Sequence, residues 1–90
     1  MEIKITRNPT GEELEKMGVF DWPVWEKETS KFPWHYDEKE TCYILEGEVM
    51  VTPKGGKPVS FSKGDLVTFP EGMDCNWDIK KAVSKHYNFG

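Results

Sequence analysis

The stretch FPWHYDEKETCYILEGEVMV, residues 32–51, decides which fold the sequence predicts. Its segments TCYIL and EVMV are rich in β-branched and aromatic residues, which favour strands. Glu46-Gly47 separates the two segments, and a glycine there supplies the positive φ that a two-residue hairpin loop requires. We therefore predict two antiparallel neighbouring strands joined by a tight turn at Glu46-Gly47.

The rest of the chain alternates in the same way between short strand-like segments and turn signals. The segments PVSF, LVTF and CNWDI follow the turn-forming stretches KGGK (54–57), SKGD (62–65) and PEG (70–72), respectively. Evenly spaced short strands with glycine-containing turns indicate an all-β sandwich or barrel. His86 is expected in the last strand, at a sheet edge or an interface rather than in a catalytic role.

A short helix is predicted near the N-terminus, in NPTGEELEKMGVF. Thr10 and Glu13 have the spacing of a capping box, and Gly18 is a typical C-terminal stop. Because the segment allows only two turns, we expect a peripheral helix that packs through Leu14 and Met17.

Composition narrows the class of protein. Ninety residues predict a single domain, 1–90, and the N-terminus lacks a signal sequence, so we expect a cytoplasmic protein. The net charge of −4 and the scattered basic residues argue against a nucleic-acid or membrane partner. Cys42 and Cys75 are expected to be free thiols. The absence of glutamine, together with abundant lysine and glutamate, suggests a thermostable protein.

Spacing along the chain resembles the two cupin motifs. Glu40 and Gly47 fit the second half of the first motif, and Gly64, Pro70 and Gly72 fall in register with the second. The sequence is similar to the small single-domain (RmlC-like) cupins grouped with the (S)-ureidoglycine aminohydrolase cupin domain and the ethanolamine-utilisation protein Q family. The resemblance implies an all-β fold, a small cupin β-barrel of the jelly-roll type, here with one short N-terminal helix.

The resemblance also implies where a metal would bind. Cupin metal ligands are two histidines and a glutamate of the first motif and a histidine of the second; Glu40 matches, whereas Cys75 replaces the last histidine. With a gap of four residues the histidine pair becomes Pro33 and His35; with three it becomes Trp34 and Tyr36. We expect a degenerate site and no cofactor. If a divalent metal binds (Mn, Zn, Fe or Ni), the surviving ligands are His35, Glu40 and Cys75.

Strand alternation places the aromatic side chains before Glu40 inside the barrel. Phe32, Trp34 and Tyr36 share one face, and His35 lies on the other, toward solvent or a partner chain. Since Trp77 lies two residues after Cys75, both should face the same way. The predicted pocket therefore consists of five residues: Trp34, Tyr36, Glu40, Cys75 and Trp77.

Within this pocket Glu40 and Tyr36 are the candidate catalytic residues, with Trp34, Cys75 and Trp77 as ligand-binding residues. A carboxylate buried among aromatic rings needs a donor, and we expect Tyr36, Trp34 or Trp77 to supply it. Cys42, two residues after Glu40, is expected to contribute packing.

Two kinds of function are compatible with these observations. The first is a cupin that binds or transforms a small polar metabolite of ureide-, amine- or sugar-like chemistry. The second is a non-catalytic ligand-binding barrel or a dimeric structural barrel. The TCYIL segment is apolar on both faces, which predicts a symmetric homodimer.

Overall fold

The structure, a computed structural model, describes residues 2–90 and is predominantly β. The elements in chain order are β1 (Lys4–Thr6), α1 (Gly11–Met17), a 3₁₀ turn (Val19–Asp21), β2 (Val24–Lys27), β3 (Ser30–His35), β4 (Glu40–Pro53), β5 (Val59–Ser62), β6 (Leu66–Phe69) and β7 (Asp74–Phe89).

The long strands β4 and β7 pair with each other in antiparallel register, from Glu40↔Phe89 to Pro53↔Cys75. The first half of β4 also pairs with β6, which pairs with β1, and the second half of β7 pairs with β2. The second half of β4 pairs with β5, and the first half of β7 pairs with β3. The seven strands thus form one curled sheet. Its two long strands, β4 and β7, each pair with different neighbours along their two halves.

The predicted hairpin turn at Glu46-Gly47 is wrong. Strand β4 continues through both residues, and the register with β7 shifts there in a series of β-bulges. Gly47 does have a positive φ of 106°. Its absent Cβ would lie 2.5 Å from the carbonyl oxygen of Ala82. The glycine therefore lets β4 bend where it passes close to β7. A β-bulge at such a close contact and a tight hairpin both require glycine, which is why the sequence pattern predicted a hairpin.

The other predicted turns and the helix are confirmed. Residues 54–57, 62–65 and 70–72 connect β4 to β5, β5 to β6 and β6 to β7. Thr10 and Glu13 form a reciprocal capping box, and Gly18 takes the left-handed conformation that ends α1. Leu14 is buried as expected. Met17 is not, with 44% of its surface exposed, because it is the last residue of this short helix.

Apolar side chains from both halves of the sheet fill the interior. Tyr36 stacks on Phe69 with ring centroids 4.7 Å apart, and Phe61 meets Trp77 edge to face at 5.8 Å. Within residues 2–90, no helix has the length and apolar character needed to cross a membrane. Three charged residues are buried within residues 2–90: Glu40, Asp65 and Lys85. Asp65 pairs with Arg7, whereas Glu40 and Lys85 pair with each other, and the candidate site lies around this second pair.

Candidate functional site

A buried ion pair lies at the end of the barrel where β4 begins and β7 ends. Lys85 Nζ donates a hydrogen bond of 2.6 Å to Oε2 of Glu40. The two residues are only 5% and 3% exposed. Glu40 is the first residue of β4. Lys85 lies two residues after the buried Val83 in β7, so both side chains face the interior. The prediction that Glu40 points into the barrel is confirmed.

Aromatic rings complete the surroundings of the ammonium group. Lys85 Nζ lies 5.0 Å from the ring centroid of Trp25 and 4.8 Å from that of Trp77. Burying a charge is costly unless it is paired, and here the carboxylate and the two negative ring faces offset that cost. Sequence reasoning missed Lys85. The signal that could have found it is its alternation with Val83 and Tyr87, which places a lysine on the inner face.

The ion pair borders a small cavity of about 150 Å³, lined by Trp25, Glu40, Lys85, Tyr87 and Phe89. Oε2 of Glu40 accepts the lysine hydrogen bond. No polar side-chain atom of residues 2–90 is both enclosed and without a partner. Because Glu40 lines the cavity and its Oε2 already accepts from Lys85, Oε1 is the carboxylate oxygen left to accept a hydrogen bond from a ligand.

Tyr36 does not contact Glu40 as its donor. Its hydroxyl accepts a hydrogen bond of 3.2 Å from the indole nitrogen of Trp77. Burial, reinforced by the negative charge of Glu40, raises the pKa of Tyr36 far above its ordinary value. The hydroxyl therefore stays protonated and cannot act as a base. The expected donors to Glu40 were Tyr36, Trp34 or Trp77, and Lys85 takes that role instead.

The two cysteines are buried free thiols, as predicted. Burial, with a smaller contribution from Asp74, raises the pKa of Cys75 to about 11. Burial likewise raises the pKa of Cys42 to about 12, although the nearby Lys85 opposes the shift. Both thiols are protonated at neutral pH, so neither is an activated nucleophile. The Cys75 thiol instead donates a weak hydrogen bond to the carbonyl of Trp34 at 3.7 Å.

Trp34 lies outside the enclosed pocket in which it was predicted. It shares a face with Phe32 and Tyr36 and meets both rings edge to face. Nevertheless 49% of its surface is exposed. Strand β3 pairs with β7 alone, so Trp34 lies on an edge strand of the sheet. The other four residues of the predicted pocket, Tyr36, Glu40, Cys75 and Trp77, are buried, but only Glu40 lines the cavity. The prediction that Trp34, Cys75 and Trp77 line a pocket with it is therefore wrong, because the aromatic side chains pack on one another as core.

The structure does not bring the expected metal ligands together. The side chain of His35 is 51% exposed and bonds through Nδ1 to Asp74 at 2.7 Å, on the outer face that alternation predicted. Glu40 is instead paired with an ammonium group in the interior. Among residues 2–90, no three His, Cys, Asp or Glu side chains are placed to hold a metal ion. The set His35, Glu40 and Cys75 therefore does not fit a divalent metal.

His86 also lies away from the cavity. Its Nδ1 is 2.9 Å from the carbonyl oxygen of Trp22, and Phe20 packs edge-on against its ring at 5.9 Å. The expectation of a sheet edge is wrong, because β7 runs between β4 and β2 at this position. His86 therefore holds the segment before β2 against the sheet.

A curled antiparallel sheet with polar side chains converging on one end of its interior defines the protein as a small cupin barrel. Residues 14–87 match the family model of the EutQ-like cupin domain, and the chain belongs to that family.

Known structures agree with this assignment. The chain is 54% identical to a DUF861-family protein from Thermotoga maritima, with a TM-score of 0.95 and coverage of 99% of this chain and 100% of the other. The EutQ protein of Clostridium difficile is 23% identical (TM-score 0.64), and the match covers 71% of this chain and 46% of that one. A putative ethanolamine utilization protein Q from Salmonella typhimurium is 21% identical (TM-score 0.67), with 99% and 69% covered. The last two support the fold alone. No curated protein matches the chain.

Proposed function

We propose that this cupin binds a small polar metabolite in the cavity beside Glu40 and Lys85. The observation that carries the proposal is the buried ion pair itself. A buried pair is often no better for stability than apolar residues of the same volume, since the desolvation of both ions offsets their attraction. Its position at a cavity supports a role in ligand binding.

The cavity restricts the chemistry of the ligand. At about 150 Å³ it is smaller than the roughly 300–1,000 Å³ typical of drug-sized ligands, which favours a compact metabolite. Oε1 of Glu40 can accept a hydrogen bond from an N–H or O–H group, while Trp25, Tyr87 and Phe89 provide apolar walls. A charged amine would meet the Lys85 ammonium. Among the expected ligand classes, neutral ureide-like or sugar-like groups therefore fit better than amines.

Binding is favoured over transformation of the ligand. The thiols of Cys42 and Cys75 and the hydroxyl of Tyr36 remain protonated at neutral pH. Glu40 is then the one candidate acid–base group of the predicted pocket that borders the cavity, and it already accepts a hydrogen bond from Lys85. If a reaction occurs, Glu40 is the residue that would transfer the proton.

The experiment is a panel of small ureides, sugars and amines tested for saturable binding by calorimetry. We expect a neutral member to bind the wild type and to lose affinity in the double variant Glu40→Leu/Lys85→Met, which keeps the volume apolar. The variant His35→Ala is the matched control, since His35 lies on the outer face. Equal affinity in the double variant, or no saturable binder in the panel, would overturn the proposal.

We also propose a symmetric homodimer, on different grounds from the sequence expectation. The outer side of TCYIL is partly covered within the chain, because Phe20 packs on Tyr43 at 6.2 Å. The proposal rests instead on large apolar side chains that stay exposed in the single chain and that a second copy would cover. They are Met17, Phe20, Val24, Trp34 and Phe89. Light scattering at micromolar concentration tests the proposal, and a monomer would refute it.

A further inference from the structure

The side chain of Lys85 ends in a cage that has the composition of a binding site for organic cations. One carboxylate oxygen of Glu40 lies 2.6 Å from Nζ. The ring faces of Trp25 and Trp77 lie within 5.0 Å of it. These two indoles come from different strands and meet at 76° with their centroids 6.1 Å apart, so they enclose the ammonium from two directions. A carboxylate with aromatic faces is how proteins recognise alkylammonium groups.

We propose that Glu40, Trp25 and Trp77 form an organic-cation site whose occupant is the chain's own Lys85 ammonium. A variant that lacks the lysine side chain should therefore bind a small alkylammonium ion from solution. The neighbouring cavity provides the route, since Trp25, Glu40 and Lys85 all line it. The ion would restore the charge balance of a carboxylate that is otherwise buried without a counter-ion.

The same geometry explains why this site is unsuited to a divalent metal. The ammonium already occupies the position next to Oε2 of Glu40. Among residues 2–90 no group of three His, Cys, Asp or Glu side chains is placed to hold a metal ion, and His35 lies outside the barrel. One carboxylate and two indole faces suit a monovalent organic cation, whereas a transition metal needs several nitrogen, oxygen or thiolate ligands.

The test uses Lys85→Ala and n-propylammonium chloride, which replaces the removed atoms from Cγ to Nζ. We expect propylammonium to raise the melting temperature of Lys85→Ala saturably, beyond the effects of equal concentrations of 1-propanol or sodium chloride. The wild type should not respond. Neither should Lys81→Ala, which removes an exposed lysine of the same strand. The double variant Glu40→Gln/Lys85→Ala should lose the preference for the cation.

Two results would overturn the inference. The first is that propylammonium stabilises Lys85→Ala no better than propanol does. If Lys85→Ala does not fold, the corresponding result is that propylammonium fails to restore folding. The other is measured on the wild type by dialysis against Mn²⁺, Zn²⁺ or Ni²⁺ followed by elemental analysis. Stoichiometric metal that disappears in Glu40→Gln would show that a metal, not Lys85, is the resident cation. Neither measurement contains a metabolite, so its outcome is independent of the proposed ligand binding.

Discussion

Removing either member of the Glu40–Lys85 pair should destabilise the protein more than removing both. At 2.6 Å the attraction between the charges is about 6 kcal/mol at an effective dielectric constant of about 20, offset by the desolvation of both ions. Glu40→Leu leaves a buried ammonium unpaired, and Lys85→Met leaves a buried carboxylate unpaired. Each should lower the free energy of unfolding by about 3–5 kcal/mol. For a domain of this size, each kcal/mol corresponds to roughly 4–8 °C in melting temperature. The double variant should be close to the wild type or more stable.

Urea unfolding monitored by tryptophan fluorescence gives the four free energies of this cycle. The matched control is the exposed pair Lys81–Glu48, which joins the same two strands at 3.5 Å. The corresponding cycle, with Lys81→Met and Glu48→Leu, should give a coupling energy of about 0–1 kcal/mol. If the two cycles give equal coupling energies, or if the Glu40 and Lys85 effects are additive, then the buried pair is not an interacting unit and the reasoning fails.

Two further predictions concern the bend of β4 and the response to alkaline pH. Gly47→Ala should cost about 3 kcal/mol or more, because its Cβ would lie 2.5 Å from the Ala82 carbonyl at a φ of 106°. The control is Gly55→Ala, at a φ of 73° with open space around the Cβ, which should cost only about 1 kcal/mol. If thermal unfolding shows that the two variants lose equal stability, the close contact between Gly47 and Ala82 is refuted. The pKa values of Cys42 and Cys75 are raised from 9.0 to about 12 and about 11, so the unfolded chain loses these protons first. Stability should therefore fall as pH rises from about 9 toward 12, less steeply in Cys42→Ala/Cys75→Ala; an unchanged slope in urea titrations would contradict this.

Much of the architecture could be predicted because it depends on local signals. The capping box of α1 and the turns at 54–57, 62–65 and 70–72 contain residue types that strongly favour helix starts and turns over other local structures. The bend at Gly47 could not be distinguished from a hairpin, since a positive φ serves both. What separates them is that one partner strand, β7, runs beside both halves of β4, and this long-range pairing is not visible in the local sequence.

The candidate site was predicted in part for the same reason. Alternation placed Tyr36 inside the barrel and His35 outside, and it put Trp77 on the same side as Cys75. The position of Glu40 came from the resemblance to the first cupin motif. It could not show that the partner of Glu40 is Lys85, which lies 45 residues away in the sequence. Lysine side chains ordinarily lie at the protein surface, so the residue type argued against a buried position for Lys85.

The most direct test of the central claim is the indole region of the ¹H–¹⁵N NMR spectrum during titration with a binder from the panel. The protein has four tryptophans, of which Trp25 lines the cavity, Trp77 contacts Lys85, and Trp22 and Trp34 lie elsewhere. Binding at the Glu40–Lys85 cavity predicts saturable shifts of the Trp25 and Trp77 signals while those of Trp22 and Trp34 remain fixed. Shifts confined to Trp34 or Trp22 would place the ligand outside the barrel and contradict the account.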